Sequence, residues 1–430
     1  MFRPPPFEIN FPGLSPFYAS DRRMTISDEK QEELTQKLIE LRDNQNVALP
    51  EEIRAALNDE RRFVEGIDDY LTRPYNFVKF DHFDIVKTIV ETCPEFLQPT
   101  WSRSMPPINS ATMAIPSSDL NNAGLKFVLL FANVSLRFDN EGKESRGYLL
   151  TRNNFHSNSL QMVKDSSTYN ALKENDPPLF FTSDILKYKL VHNQALYLEL
   201  DVIKYLVDLE PSCVQQTNDD NELPIHCTMY GGADKRHKEC IQTVEYLLQK
   251  GVSFTALKEN IGGLFTEMPD RREVLGPGPG LYRGYLLLEL LIKKLGEKKV
   301  WDCIERALSK CQNIDQLPIL HQTITHTPEY CSEVMSRFPT SVHVRDANNR
   351  LPIHVALERG MKFSLELTHL IACSQEHLRE VDPVTRWPSY VLAGMGTSCD
   401  LRTIYSLLHK YPEQSEMCCN KSEKKGIGSC

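Results

Sequence analysis

The feature that most limits what this chain can fold into is a recurring pair of proline landmarks. Leu223-Pro224-Ile225-His226 returns as Leu351-Pro352-Ile353-His354, and Leu317-Pro318-Ile319-Leu320 shares its first three residues, with His321 following. Pro318, Pro352 and Pro388 follow one another at nearly even steps, the last in a looser relative, Trp387-Pro388-Ser389-Tyr390. A second landmark is an apolar segment ending in an X-Pro step: Cys93-Pro94, Glu210-Pro211, Phe338-Pro339 and Tyr411-Pro412. The separation from stop to motif is identical from Pro94 to Pro107, from Pro211 to Pro224 and from Pro339 to Pro352. One unit therefore recurs: a helix, a stop, an extended connector and a new helix. A unit too small to bury its own apolar face must stack on its neighbours.

The segments before the stops carry helical periodicity. Leu401, Ile404, Tyr405 and Leu408 fall at i, i+3, i+4 and i+7, which predicts one buried face. Asp400 stands where a side chain can accept the first free amides. Asp84 and Asp201, at matching positions before Pro94 and Pro211, are expected to repeat that role. In Leu-Pro-Ile-His the proline suits the first helical turn, where its missing N–H has no partner to lose. Leucine and isoleucine pack inward, and the histidine can tie one turn to its neighbour. Asn221 and Asn349 precede the motif leucines at the same position, where a tight turn needs a left-handed residue.

These residues resemble the ankyrin repeat. The family pattern T-P-L-H-x-A with a later glycine is similar to Leu351-Pro352-Ile353-His354-Val355-Ala356 with Gly360 behind it. The step from Pro318 to Pro352 is close to the family period of about 33 residues. The earlier unit keeps Leu223, Pro224 and His226 but has Thr228 where alanine is expected. The resemblance implies an all-α fold, an ankyrin-like helix-pair solenoid with irregular insertions. It also implies protruding β-turn fingers, and protein recognition through them and the concave helical face. It is fullest over 301–414 and 201–255, and fainter over 84–135, where Pro106-Pro107-Ile108-Asn109 lacks the histidine.

Residues 1–26 are expected to be a disordered tail, and 27–75 a charged helical cap on which Leu34, Leu38 and Leu41 share a face. Degenerate repeats follow over 76–255, with an insertion near 140–180. A second insertion spans 256–300 around a Gly/Pro loop at 276–280, further repeats span 301–414, and 415–430 is a disordered tail. Arg146-Gly147-Tyr148-Leu149-Leu150 matches Arg283-Gly284-Tyr285-Leu286-Leu287, which suggests that a larger unit, insertion included, occurs twice.

Composition narrows the function. Hydrophobic residues make up 41% and charged residues 25%, enough for a sizeable core. A net charge of −9 argues against a nucleic-acid binder, which needs a basic face. The N-terminus is not expected to act as a secretory signal, and the longest apolar stretch, Leu286 to Ile292 interrupted by Glu289, is too short to cross a bilayer. The 12 cysteines form no C-x-x-C pair, which points to free thiols in a reducing compartment, the cytoplasm or nucleus. Gly276 to Gly280 lacks the Lys-Ser/Thr of a phosphate loop. His226, His321 and His354 recur along a stack and should not converge on a metal; His237 and Cys240 alone make no site.

The expected function is a non-catalytic protein-interaction scaffold or adaptor, monomeric, without cofactor or metal. Its partners would be one or more unidentified proteins, with no nucleic acid and no membrane insertion. Candidate contacts are the finger residues Gln215, Gln216, Asp219, Asp220, His343, Arg345, Asp346 and Asn348. Trp101 and Arg103 lie in the corresponding earlier connector and are residue types common at binding anchors; for Trp101, packing on the stack is the plainer alternative. The rival function is an enzyme with its active site in the inserted segments, seated in 126–182, with the repeats as a docking arm.

Overall fold

A computed structural model describes residues 26–59, 63–71, 82–98, 107–113, 123–138, 143–152, 157–230, 236–254, 260–268, 285–311, 314–361, 364–395 and 400–412. The tails before 26 and after 412, the loop at 276–280, and the candidates Trp101 and Arg103 lie outside them. The described residues are all-α, with short 3-10 turns and a single isolated bridge between Glu267 and Leu286. Among them no helix is long and apolar enough to cross a membrane. The chain divides into two compact units at 190/191, inside the stretch read above as one array.

In the first unit, Asp28–Gln45 begins at Ser27, whose hydroxyl accepts the Lys30 amide, and buries Leu34 and Leu38. It packs on Phe83–Thr92, Glu51–Asn58 packs on Phe63–Leu71, and Pro107–Met113 packs on Ala123–Phe138. In the second unit helix pairs follow one another from Pro224 onward. They are Pro224–Cys227 with His237–Gly251, Leu287–Leu295 with Glu297–Ser309, and Ile319–His326 with Cys331–Arg337. Pro352–Glu358 with Leu365–Cys373 and Ser389–Met395 with Leu401–Lys410 complete the series. Neighbouring pairs touch: His237–Gly251 lies on Glu297–Ser309, and Pro352–Glu358 lies between Ile319–His326 and Ser389–Met395. Arg337 ties Glu297–Ser309 to its own helix through Asp302 at 2.8 Å, Glu305 at 2.7 Å and Glu333 at 2.5 Å.

The X-Pro stops share one backbone. Cys93, Glu210 and Phe338 have φ of −127°, −142° and −127° and ψ of 75°, 83° and 66°. Each donates its amide back into the helix, and a 3-10 turn starts at the proline. Proline forbids the preceding residue the helical ψ, so the helix must end there. Phe83–Thr92, Leu200–Leu209 and Leu401–Lys410 are equal in length, and each stops one residue short of its X-Pro bond's proline partner, at Thr92, Leu209 and Lys410. Their caps are therefore His82, Glu199 and Asp400, and only Asp400 accepts a first-turn amide (Arg402, 3.0 Å). Asp84 and Asp201 sit within the first helical turn, so the expectation that they cap is corrected. The last helix also departs from its periodicity. Leu401 and Tyr405 are 76% and 70% exposed, while Thr403 and Leu407 face inward. This final described helix packs on Ser389–Met395.

A local left-handed turn recurs, on a different alignment from the matched Arg-Gly-Tyr-Leu-Leu segments. Arg146, Gly147 and Tyr148 are three consecutive left-handed residues, and their counterpart is Ile261-Gly262-Gly263. In each triplet a glycine presses on a helix backbone: a Cβ on Gly147 would lie 2.5 Å from the Ala132 carbonyl, and one on Gly262 3.1 Å from that of Leu248. Just after each triplet, the Leu149 carbonyl accepts the Ser159 amide and the Leu264 carbonyl accepts the Leu288 amide, both at 3.0 Å, at the start of the next helix. Tyr148 is buried in its turn whereas Tyr285 is exposed before a helix, so the sequence match joins segments of different conformation.

Candidate protein-interaction surface

The connectors 218–223 and 346–351 form the same turn. Asn218 donates its amide to the Glu222 carbonyl at 2.9 Å, and Asp346 does so to Arg350 at 2.9 Å. The side-chain oxygen of Asn218 accepts the amides of Asp220 (3.0 Å) and Glu222 (2.9 Å). That of Asp346 accepts those of Asn348 (2.9 Å) and Arg350 (2.8 Å). Asn221 and Asn349 have φ of 60° and 61°, the left-handed conformation that asparagine tolerates.

Histidines hold these turns to the helices. His192, His226, His321 and His354 are each the third residue of their helix. His192 Nε2–H donates to the Glu222 carbonyl at 3.0 Å, and His321 Nε2–H to the Arg350 carbonyl at 2.8 Å. His226 Nε2 meets Thr266 Oγ1 at 2.6 Å, and its Nδ1 accepts the Leu223 amide at 3.1 Å. His354 Nδ1 accepts the Leu351 amide at 3.4 Å. Accepting at Nδ1 places the proton on Nε2. His321 Nδ1 has no such partner because its helix is preceded by Pro318, which lacks an N–H. Leu317-Pro318 thus stands one residue earlier relative to its helix than Leu223-Pro224 and Leu351-Pro352, where the proline is the first helical residue. In the first unit Asn109, also third in its helix, accepts the Ser159 hydroxyl at 2.8 Å in the manner of His226 and Thr266. Ala356 is buried, and Gly360 (φ 67°) ends its helix with the Met361 amide on the Ala356 carbonyl.

Burial pushes His226 down to about 4 and lowers His321 and His354 as well, so all three are neutral near pH 7. Beneath the second turn Arg350 pairs with buried Asp382 at 2.8 Å and with Glu358 at 2.7 Å. Burial opposes ionisation of Asp382, but hydrogen bonds from Thr385 and the Arg350 guanidinium hold its carboxyl below the ordinary range. Beneath the first turn Glu222 is buried and accepts the Tyr230 hydroxyl at 2.7 Å and the Asn218 amide group at 3.0 Å.

The expected contact residues among those described fall in, or just before, the two turns and do different things. Asp219 and Asn348 are exposed at the tips; Gln215, Gln216 and Asp220 are half-buried. His343 is exposed, with its Nδ1 3.1 Å from His377 Nε2. Arg345 pairs with Glu380 at 2.6 Å and donates to the Asn349 carbonyl at 3.1 Å. Asp346 also forms its turn, one carboxylate oxygen accepting the two turn amides. Sequence reasoning missed His377, Glu380 and Asp382; the step from Asp346 to Asp382 equals that from Pro352 to Pro388 and marks the last of these.

Among the described residues no group of three His, Cys, Asp or Glu could hold a metal, and Cys240 faces the core while His237 is half-buried. Burial raises the Cys240 thiol to about 11 and those of Cys93, Cys213, Cys303 and Cys331 to about 12, which keeps them protonated and poor nucleophiles. Within 126–182, Asn133 and Asn175 bond to each other, Ser159 donates to Asn109, and Tyr169 donates to the Leu160 carbonyl. Comparison with known proteins finds no matching family, no curated relative and no matching solved structure.

Proposed function

We propose that this chain is a non-catalytic protein-interaction scaffold, an ankyrin-like stack of helix pairs that binds through its connector turns. The observation that carries this reading is the pair of turns at 218–223 and 346–351. Their hydrogen-bond skeleton is the same, yet their tips carry different side chains: Asp219 and Asp220 on one, Asn348 beside Arg345 on the other. A skeleton held constant under variable outward residues suits recognition, because the turns are already ordered within the fold before a partner arrives. The polar groups in 126–182 that pair locally weigh against a catalytic site there. The test is affinity capture with the intact chain and with an Asp219→Ala, Arg345→Ala, Asn348→Ala variant, followed by titration of each purified captured protein. Asp346 is left intact so that the turn survives. Retention by the intact chain and at least tenfold weaker binding to an equally folded variant supports a scaffold. Binding indifferent to the turns, or turnover of a small molecule lost on mutation within 126–182, overturns it.

A further inference from the structure

The third connector, 382–387, has the same length as the second but its turn has slipped by one residue. In the second turn Asp346 N donates to Arg350 O, Asn349 is left-handed, and Leu351 is buried. Setting Pro388 against Pro352 aligns Asp382 with Asp346, Arg386 with Arg350 and Trp387 with Leu351. Yet Asp382 N donates to Trp387 O at 3.0 Å, and the left-handed residue is Arg386 (φ 63°). The slip turns outward what the other motifs turn inward: Trp387 is 43% exposed where Leu351 is buried, and it stands beside Val384, 55% exposed at the position of exposed Asn348. The histidine clasp is also missing. His354, third in its helix like His321, is fully buried and its Nε2 meets no acceptor among the described residues.

This slipped loop is nonetheless rigid at its base. Asp382, fully buried, accepts the Thr385 amide at 2.8 Å and hydroxyl at 2.7 Å and pairs with Arg350. An arginine in the left-handed region costs stability that asparagine would largely spare. The carboxylates around the tip are committed, Glu380 to Arg345 and His377, Asp382 to Arg350. No hydrogen bond or ion pair among the described residues reaches the Arg386 guanidinium.

Resting on the scaffold reading above, we infer that Trp387, Val384 and Arg386 form a peptide-recognition tip. Its partner is an extended protein segment that presents a carboxylate within two residues of an aliphatic or aromatic side chain. The carboxylate takes the fork of Arg386, and the apolar group covers Trp387 and Val384.

The experiment selects a displayed library of random dodecapeptides on the intact chain, then titrates the enriched peptides. The expected peptides pair a carboxylate with an apolar residue at that spacing and weaken as salt rises. Trp387→Ala and Arg386→Asn each weaken them at least tenfold, while Arg386→Asn melts a few degrees higher than the parent because asparagine relieves the left-handed residue. That combination, firmer fold and poorer binding, is not what a purely structural loop gives. Peptides without the pairing, or peptides that bind the Trp387→Ala and Arg386→Asn chains as well as the parent, overturn the inference. If enriched peptides are lost on Asp219→Ala or Arg345→Ala instead, the scaffold reading stands and this tip falls. If nothing is enriched, both fall.

Discussion

The turns at 218–223 and 346–351 lie far apart in the chain and differ most in what lies beneath them. Their backbones match bond for bond, from the Asn218 or Asp346 oxygen to the left-handed asparagine and the histidine on the last carbonyl. Yet the residue whose carbonyl is clasped is Glu222 in one and Arg350 in the other, and both side chains are buried. Glu222 accepts from Asn218 and Tyr230, both within eight residues of it. Arg350 reaches Asp382 across the helix pair Pro352–Glu358 and Leu365–Cys373, and so couples its turn to the next. Local hydrogen bonding builds both turns; the buried Arg350–Asp382 pair adds to the second a tie to its successor.

Removing the tie should give the largest effect. Arg350→Ala leaves Asp382 buried without its cation and is expected to cost about 3–5 kcal/mol in urea unfolding. Acid should act on both turns through their histidines. A neutral histidine whose folded pKa is depressed leaves stability intact above the unfolded value of about 6.5 and erodes it below. For His226, held at about 4, the loss between those values is on the order of 3 kcal/mol. His226→Gln, which can still accept at the cap and donate to Thr266 without titrating, should flatten the curve of stability against pH over that window. Glu222→Gln should cost about 2 kcal/mol, since one neighbouring donor loses its acceptor. Equal losses at Glu222 and Arg350 would show that the long-range Arg350–Asp382 pair adds nothing beyond local bonding.

Smaller effects sharpen the shared skeleton. Asn221→Ala and Asn349→Ala should each cost about 1 kcal/mol through the left-handed residue, and the glycine replacements close to nothing. If only one of the two alanine variants loses stability, the turns are not equivalent. Smallest of all, Tyr405→Ser on the outer face of the last helix should change unfolding by less than about 0.5 kcal/mol, as exposed sites do. Leu407→Ala on its inner face should cost several times more.

Much of this was readable along the chain. The X-Pro stops end helices where proline geometry requires, and the constant separation from stop to motif proline corresponds to a real repetition of helix, 3-10 turn and motif helix. Leu34 and Leu38 are buried as their spacing predicts, and Asn221 and Asn349 are left-handed where a turn was expected. Asp84 and Asp201 misled because a capping residue is recognised by its distance from the helix start, and the caps lay earlier, at His82 and Glu199. Leu401 and Tyr405 misled because periodicity identifies an apolar face but not whether another element covers it. For the candidate surface, Asp219 and Asn348 lie exposed at turns, and Asp346 has in addition a turn-forming role that its position in the sequence did not reveal, because its side chain bonds to its own backbone.

What the sequence determined by itself is what short-range geometry enforces: where helices stop, where a proline can start one, where only an asparagine or glycine turns the chain. Each is settled within a few residues by sterics and hydrogen bonding. Tertiary structure alone decided the rest. That Arg350 pairs with Asp382, that His321 clasps a carbonyl while His354 does not, and that Trp387 faces outward where Leu351 faces inward all depend on neighbours remote in sequence. Burial and charge pairing are properties of what packs against a residue, and a slip of one residue in a turn reverses them without altering the pattern from which the turn is read.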